Sequence, residues 1–331
     1  MLAYRSLQSL ARRGAVGLLF SLAAALPAAA QDKVTVITTW FAQAEHGGLY
    51  QAVAKDIYKK HGLDVTIKMG GPQVNGVQLL LAGQADVIMN YDFAVLQGVE
   101  KGFPLVTIAA PFQFDIQGIM TREDVKSLAD LKDKTILVAG TGTTYWWPWV
   151  KKKYGYTDAQ MRPYTFNMQP FFADPNIVQQ AFPSSEPYQA EQKGMKTNFF
   201  LLSDNGYPPY TQALTTTRKM VQERPDVLKR FVRASVEGWK SYLEDPAPGN
   251  ALIKKDNPNM TDGQLAFGLK KLKEMKVVTG GDAATKGIGT MSDERWQKTA
   301  DFMKEWGLLK PDTDHRKAYT LEFIKDVKVM P

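Results

Sequence analysis

Leu63-Asp64-Val65-Thr66-Ile67-Lys68-Met69 alternates apolar with polar side chains, and Gly70-Gly71-Pro72 then turns the chain. Alternation at period two marks a half-buried strand, because successive strand side chains point to opposite faces. Upstream, Leu49, Val53 and Ile57 recur every four residues, as on one face of a helix. That helix ends at Lys59-Lys60-His61-Gly62, with basic residues in the last turn and a glycine after them. Ahead of it, Val34-Thr35-Val36-Ile37-Thr38 reads as a strand. Downstream, a helix carrying Val74, Val77 and Leu81 leads to the strand Asp86-Val87-Ile88-Met89. A helix with Phe93, Leu96 and Val99 then leads to the strand Leu105-Val106-Thr107-Ile108. This βαβαβ order predicts a parallel sheet with helices on its faces, and ligands in such sheets sit at the carboxyl ends of the strands.

A second α/β unit is expected after Met120. It contains the strands Thr135-Ile136-Leu137-Val138 and Phe199-Phe200-Leu201-Leu202, and the loop Gly140-Thr141-Gly142-Thr143-Thr144. From Arg218 the pattern is helical. Pro225 opens a long helix with Leu228, Phe231, Val232, Ser235, Trp239 and Tyr242 on its inner face. One further helix presents Leu265, Leu269 and Leu272. Another, with Ser292 as its expected cap, presents Trp296, Thr299, Met303 and Trp306.

The chain has 331 residues, of which 23% are charged and 44% hydrophobic, the profile of a soluble globular protein, and its length suggests two lobes. It contains no cysteine, which excludes a disulfide scaffold, a thiolate zinc site and a cysteine nucleophile. Residues 1–30 read as an export signal: Arg5, Arg12 and Arg13 precede an apolar run from Ala15 to Leu26, and Ala28-Ala29-Ala30 offers a cleavage site. The run is shorter than the roughly 20 residues that span a bilayer. Of the formal charge of +7, three units belong to those arginines, leaving +4, with no basic arm to argue for nucleic acid. The expected location is the periplasm.

Enzyme motifs are missing: there is no G-x-S-x-G elbow, H-E-x-x-H helix or phosphate-binding glycine loop. His46, His61 and His315 lack partners at metal-ligand spacing, so neither a metal nor a cofactor is expected. Lys151-Lys152-Lys153 reads as a solvated helix face. The loops after the strands carry more. They hold Trp40, Phe41 and Gln43, then Asn90, Tyr91 and Asp92, then Gln113, Phe114, Asp115 and Gln117. In the second unit they hold Thr141, Thr143, Thr144 and Tyr145, with Trp146, Trp147 and Trp149 following. Later loops add Ser184, Ser185, Glu186, Asp204 and Tyr207. Flat aromatic faces beside amide, hydroxyl and carboxylate groups suit a small planar ligand with hydrogen-bonding edges. These loops contain acids but no lysine or arginine, which favours a ligand with N–H donors. An anion would have to rely on backbone N–H groups near Thr141–Thr144.

Trp40, His46-Gly47-Gly48-Leu49-Tyr50-Gln51-Ala52 and Tyr58-Lys59-Lys60-His61-Gly62-Leu63-Asp64-Val65 together resemble the opening of the SsuA/THI5-like periplasmic solute-binding proteins of ABC importers. The similarity continues through Leu80-Leu81-Ala82-Gly83-Gln84-Ala85-Asp86 and Leu128-Ala129-Asp130-Leu131-Lys132-Asp133-Lys134, where Asp133 stands in place of the usual glycine. It extends to Glu186-Pro187 and the helix through Phe231, Gly238-Trp239 and Asp245-Pro246. The resemblance implies a type II periplasmic-binding-protein fold, two α/β lobes joined by a hinge with the ligand cleft between them. The lobes would comprise residues 31–117, 118–207 and a return over 208–331. It further implies a monomeric, non-catalytic receptor that hands its ligand to an inner-membrane permease and ATPase. The family's ligands include sulfonates, taurine, nitrate-like anions and pyrimidine precursors of thiamin. In the pyrimidine branch, positions matching Trp40, His46, Gly47 and Glu186 would surround the ring. The cysteine-rich motif of the pyrimidine synthases is absent.

The sequence thus favours capture of an aminopyrimidine-type ring. Trp40 and either Tyr91 or Tyr145 are expected to stack, and Asn90, Gln113, Thr143 and Glu186 to bond. His46, Gly47, Phe114, Thr141, Thr144 and Tyr207 complete the candidate site. A sulfonate receptor, a sensory receptor and a periplasmic enzyme using Glu45 and His46 are the alternatives.

Overall fold

The computed structural model describes residues 30–331, so the expected export segment, Ala30 apart, lies outside the described residues. Among the described residues, ten strands form two five-stranded sheets. The first sheet contains β1 (Asp32–Ile37), β2 (Leu63–Lys68), β3 (Val87–Asn90), β4 (Leu105–Ala109) and the much later β10 (Ala213–Thr217), in the order β2-β1-β3-β10-β4. The second contains β5 (Gly118–Arg122), β6 (Thr135–Val138), β7 (Met161–Pro163), β8 (Ile177–Ala181) and β9 (Thr197–Leu201), in the order β7-β6-β8-β5-β9.

The expected parallel sheet is therefore mixed. β1 runs parallel to β2 and β3, but β10 enters antiparallel between β3 and β4, with Leu214 opposite Met89 on one side and Ala109 on the other. β10 is Ala-Leu-Thr-Thr-Thr. Its β-branched threonines suit a strand, and their buried hydroxyls find partners inside the sheet. Thr216 donates to the Asp86 carbonyl at 2.7 Å, and the Thr215 and Thr107 hydroxyls lie 3.3 Å apart. The chain thus passes between the sheets twice, over residues 110–117 and 202–212. The two crossings touch through an isolated antiparallel bridge between Phe112 and Thr211.

Helices cover the first sheet as their apolar spacing requires. In Pro225–Glu244 all six expected inner-face residues are buried. This helix lies tight on Gly47–Ala54, where a side chain at Gly48 would begin 2.3 Å from the Trp239 indole and one at Gly238 would begin 2.3 Å from the Gly48 carbonyl. Asp262–Glu274 buries Leu265, Leu269 and Leu272 as expected. Asp293–Glu305 buries Trp296, Thr299 and Met303, with Trp306 half-buried just past its end. Ser292 precedes that helix, but its side chain makes no capping hydrogen bond. Among the described residues no helix is long and apolar enough to cross a membrane.

Candidate functional site

A cavity with about 580 Å³ of empty space, part of it open to solvent, lies between the two sheets. Its walls come from six places. After β1 come Thr39, Trp40 and Gln43, and after β3 comes Tyr91. The first crossing supplies Asp115 and Gln117, and the second supplies Tyr207. The loop after β6 supplies Thr141, Gly142, Tyr145 and Trp146. The end of β8 and its loop supply Gln180, Ala181, Phe182 and Glu186.

Trp40 is held in place by other rings. It stacks on Tyr164 at 6.3 Å between centroids and 13° between planes, and meets Phe41 and Phe166 edge-on. Across the cavity Tyr91 and Tyr145 approach to 5.4 Å, and Tyr207 is backed by Trp149 at 5.1 Å and Phe93 at 4.8 Å. Such rings give a ligand large apolar faces at little entropic cost.

No lysine or arginine is among the lining residues, whereas two carboxylates are. Glu186 accepts from the Tyr164 hydroxyl at 2.8 Å and from the Phe182 amide at 2.9 Å. Asp115 accepts from the Gln117 amide at 2.8 Å through Oδ1. Burial raises both carboxyls to about 7, against the lowering effect of those hydrogen bonds. Asp92, behind the wall, accepts from the Tyr210 amide at 2.9 Å and is likewise raised by burial to about 7. Glu45, also buried behind the wall, is raised by burial and takes a hydrogen bond from the Ser184 hydroxyl.

The structure brings together Trp40, Tyr91, Thr141, Tyr145, Glu186 and Tyr207 of the expected residues. The others lie elsewhere. His46 is fully buried behind Thr39, with Nε2 3.2 Å from the Thr39 hydroxyl. That hydroxyl donates to Gln212 at 2.8 Å and so accepts from the imidazole. Burial lowers His46 to about 3, leaving it uncharged. Gly47 faces the Tyr242 ring, where a side chain would begin 2.0 Å away, and so serves helix packing. Gln113 donates to the carbonyls of Ala110 and Thr290, both at 2.9 Å, which fixes the first crossing to the C-terminal segment. Phe114 packs on the core. Asn90 lines a neighbouring cavity that shares Thr39, Tyr91, Thr141 and Tyr145 with the main one.

Thr143 and Thr144 close their own turn. Their hydroxyls donate to the carbonyls of Gly140 and Thr141, and their amides to those of Ala139 and Thr141. The nearest helix starts only at Trp147. Of the backbone donors expected here for an anion, those of Thr143 and Thr144 are therefore already engaged.

Sequence reasoning left out Thr39, Gln43, Asp115, Gln117, Gly142, Trp146, Gln180, Ala181 and Phe182. Four of them, Gln43, Asp115, Gln117 and Trp146, stand in the strand-end loops it singled out. Gln180, Ala181 and Phe182 belong to or follow β8, a strand it did not predict. Of the three clustered tryptophans, Trp146 lines the cavity. Trp147 donates to Asp158 at 2.9 Å, and Trp149 supports Tyr207.

Two mixed sheets joined by two crossings, with a cavity where the strand-end loops meet, define the periplasmic-binding-protein architecture. The aliphatic sulphonate-binding protein SsuA from Escherichia coli matches this fold with a TM-score of 0.62 at 15% identity, over 86% of this chain and 91% of that one. Residues 43–248 match the family model described as NMT1/THI5 like, and the chain belongs to that family. The riboflavin-binding protein RibY of Chloroflexus aurantiacus is 22% identical over 88% of this chain and 86% of its own length. A formylaminopyrimidine-binding protein of Halalkalibacterium halodurans is 23% identical over 83% of this chain and 88% of its own length.

Proposed function

We propose that this chain is the ligand-capturing subunit of an ABC importer. It binds a small planar nitrogenous ring of the aminopyrimidine type in the cavity between its sheets and delivers it to a membrane permease with its ATPase. The two sheets are the cores of two lobes, residues 31–117 with 208–331 and residues 118–207, hinged at the two crossings. The site of action is the periplasm, after removal of residues 1–30. The chain acts as a receptor, without catalysis.

One observation carries the ligand class: a cavity walled by Trp40, Tyr91, Tyr145, Trp146, Phe182 and Tyr207 contains two carboxylates and no cationic side chain. A sulfonate there would face Asp115 and Glu186 without a guanidinium or ammonium partner, an arrangement that costs electrostatic energy in a buried site. A flat ring stacks on the aromatic walls and offers N–H groups to the acids. The relatives named for riboflavin and formylaminopyrimidine support the same class, since both those ligands are flat nitrogen heterocycles.

Thermal unfolding of ligand-stripped, refolded protein tests this reading. The panel contains 4-amino-5-hydroxymethyl-2-methylpyrimidine, riboflavin, taurine, an alkanesulfonate and nitrate. A ligand at about 100 times its Kd adds about 2.7 kcal/mol and raises the midpoint by several degrees. A rise with a heterocycle and none with the anions is expected. A rise with the anions alone would overturn the ligand class.

A further inference from the structure

Several polar atoms of the cavity wall are already committed. Both Glu186 oxygens accept, from Tyr164 and from the Phe182 amide. Gln180 Oε1 accepts from the Ala139 amide at 2.6 Å. Gln117 Nε2 donates to the carbonyls of Gly118 at 2.9 Å and Ala181 at 3.2 Å.

Among the buried side-chain nitrogens and oxygens of the lining, two have no partner: Asp115 Oδ2 and Trp146 Nε1. The side chains that carry them are 1% and 3% exposed, respectively. Buried polar atoms in native proteins are nearly always satisfied, so an unsatisfied acceptor and donor on the wall of a ligand-sized cavity mark where the ligand completes the network.

The indole edge is kept clear by its neighbour. A side chain at Gly142 would begin 2.6 Å from Trp146 Nε1, so any residue larger than glycine would cover the donor. The ring itself is fixed edge-on against Trp147, with 6.1 Å between centroids and 83° between planes. Asp115 is fixed through its other oxygen by the Gln117 amide.

We infer that Asp115 and Trp146 form the specificity pair of the site: Asp115 accepts from an N–H of the ligand, and the Trp146 indole donates to a ring nitrogen or carbonyl oxygen of the same molecule. The inference rests on the receptor reading above and narrows its ligand to rings carrying both an N–H donor and a lone-pair acceptor. Aminopyrimidines and the dioxo edge of a flavin meet that requirement. A sulfonate or nitrate offers acceptors only, and supplies no N–H for Asp115. Asp115 lies on the first crossing and Trp146 on the loop after β6, so a ligand that satisfies both also bridges the crossing to the second sheet.

Calorimetric titration of stripped protein with two ligand pairs tests the inference. The pairs are 4-aminopyrimidine with 4-(dimethylamino)pyrimidine, and riboflavin with N3-methylriboflavin, the second member of each lacking the N–H. The wild type is expected to prefer the N–H member of the pair it binds by about tenfold or more, the size of one hydrogen bond to a charged group. Asp115→Asn is expected to reduce that preference to within about threefold. Trp146→Phe is expected to weaken both members by about tenfold and leave the preference intact.

The wild-type comparison stands even if a variant fails to fold. Tight binding of either heterocycle with no preference for the N–H member would overturn the specificity pair and leave the receptor reading in place. A preference that survives Asp115→Asn would do the same. Binding of sulfonates alone would overturn both.

Discussion

Asp92, Asp115 and Glu186 are three carboxyls that burial raises to about 7, well above the ordinary range of these groups. A raised carboxyl holds its proton more tightly in the folded protein than in the unfolded chain. Its contribution to stability is complete below about pH 4 and is lost as pH rises through about 7. Each tenfold difference in proton affinity between the folded and unfolded chain corresponds to about 1.4 kcal/mol. The unfolding temperature of the ligand-free protein is therefore expected to fall between pH 5 and pH 8. Asp92→Asn is expected to flatten that fall, because an amide oxygen still accepts from the Tyr210 amide and carries no charge to bury. Melting curves at four pH values check this, and parallel slopes in the two proteins would assign the effect to other groups. The same residues show how much of the site the sequence discloses. Trp40, Tyr91, Glu186 and Tyr207 follow strands, and position alone directs them to the cavity. His46 and Gln113 follow strands as well, but the imidazole turns behind Thr39 and the amide is taken by two carbonyls. A loop residue's direction depends on partners distant in sequence, and no local pattern encodes it.

At the scale of elements, legibility follows hydrophobic period. β1 to β4, β6 and the inner face of Pro225–Glu244 are readable because their apolar residues recur at period 2 or 3.6, or form short unbroken runs. β8 and β10 escape that reading for a chemical reason. Ile177-Val178-Gln179-Gln180-Ala181 and Ala213-Leu214-Thr215-Thr216-Thr217 are nearly wholly buried, yet half their residues are polar and find partners only once the sheets exist. The crossings present the same problem, since residues 110–117 and 202–212 have no period at all. Their geometry is set by individual hydrogen bonds, of which the two from Gln113 are a clear case. Gln113→Ala is expected to lower stability by about 1–3 kcal/mol, because two buried carbonyls lose their donor. The Kd for ligand should stay within about threefold, because the side chain does not reach the cavity. Denaturant melts and calorimetry on one preparation separate the two effects. A large loss of affinity at unchanged stability would return Gln113 to the binding site.

At the scale of the molecule, the elements around the two sheets meet through aromatic contacts, such as Trp40 on Tyr164, and through polar contacts from loops and helices on either side. The Ser184 hydroxyl donates to Glu45, and the Ser185 hydroxyl donates to Gln43 at 3.3 Å. The Gln264 amide donates to the Ser185 carbonyl at 2.9 Å, and the Gln97 amide to the Thr144 carbonyl at 3.2 Å. Ser184 and Ser185 immediately precede Glu186, so the loop that makes these contacts also forms a wall of the cavity. On the hinged-receptor reading proposed above, contacts made only while the lobes meet act on ligand release more than on ligand entry, since the entering ligand reaches the site before they form. Ser184→Ala removes the hydroxyl partner of a fully buried Glu45 oxygen, a loss of about 1–3 kcal/mol. The expected result is ligand dissociation faster by about tenfold or more with an association rate changed by less than about threefold, read by stopped-flow tryptophan fluorescence. Glu45→Gln keeps a hydrogen-bond acceptor for Ser184 and replaces the titratable carboxyl by an amide, so its dissociation rate should lie between those of Ser184→Ala and the wild type. An equal slowing of association in Ser184→Ala would mean instead that the Glu45–Ser184 contact shapes the open site, before the lobes meet.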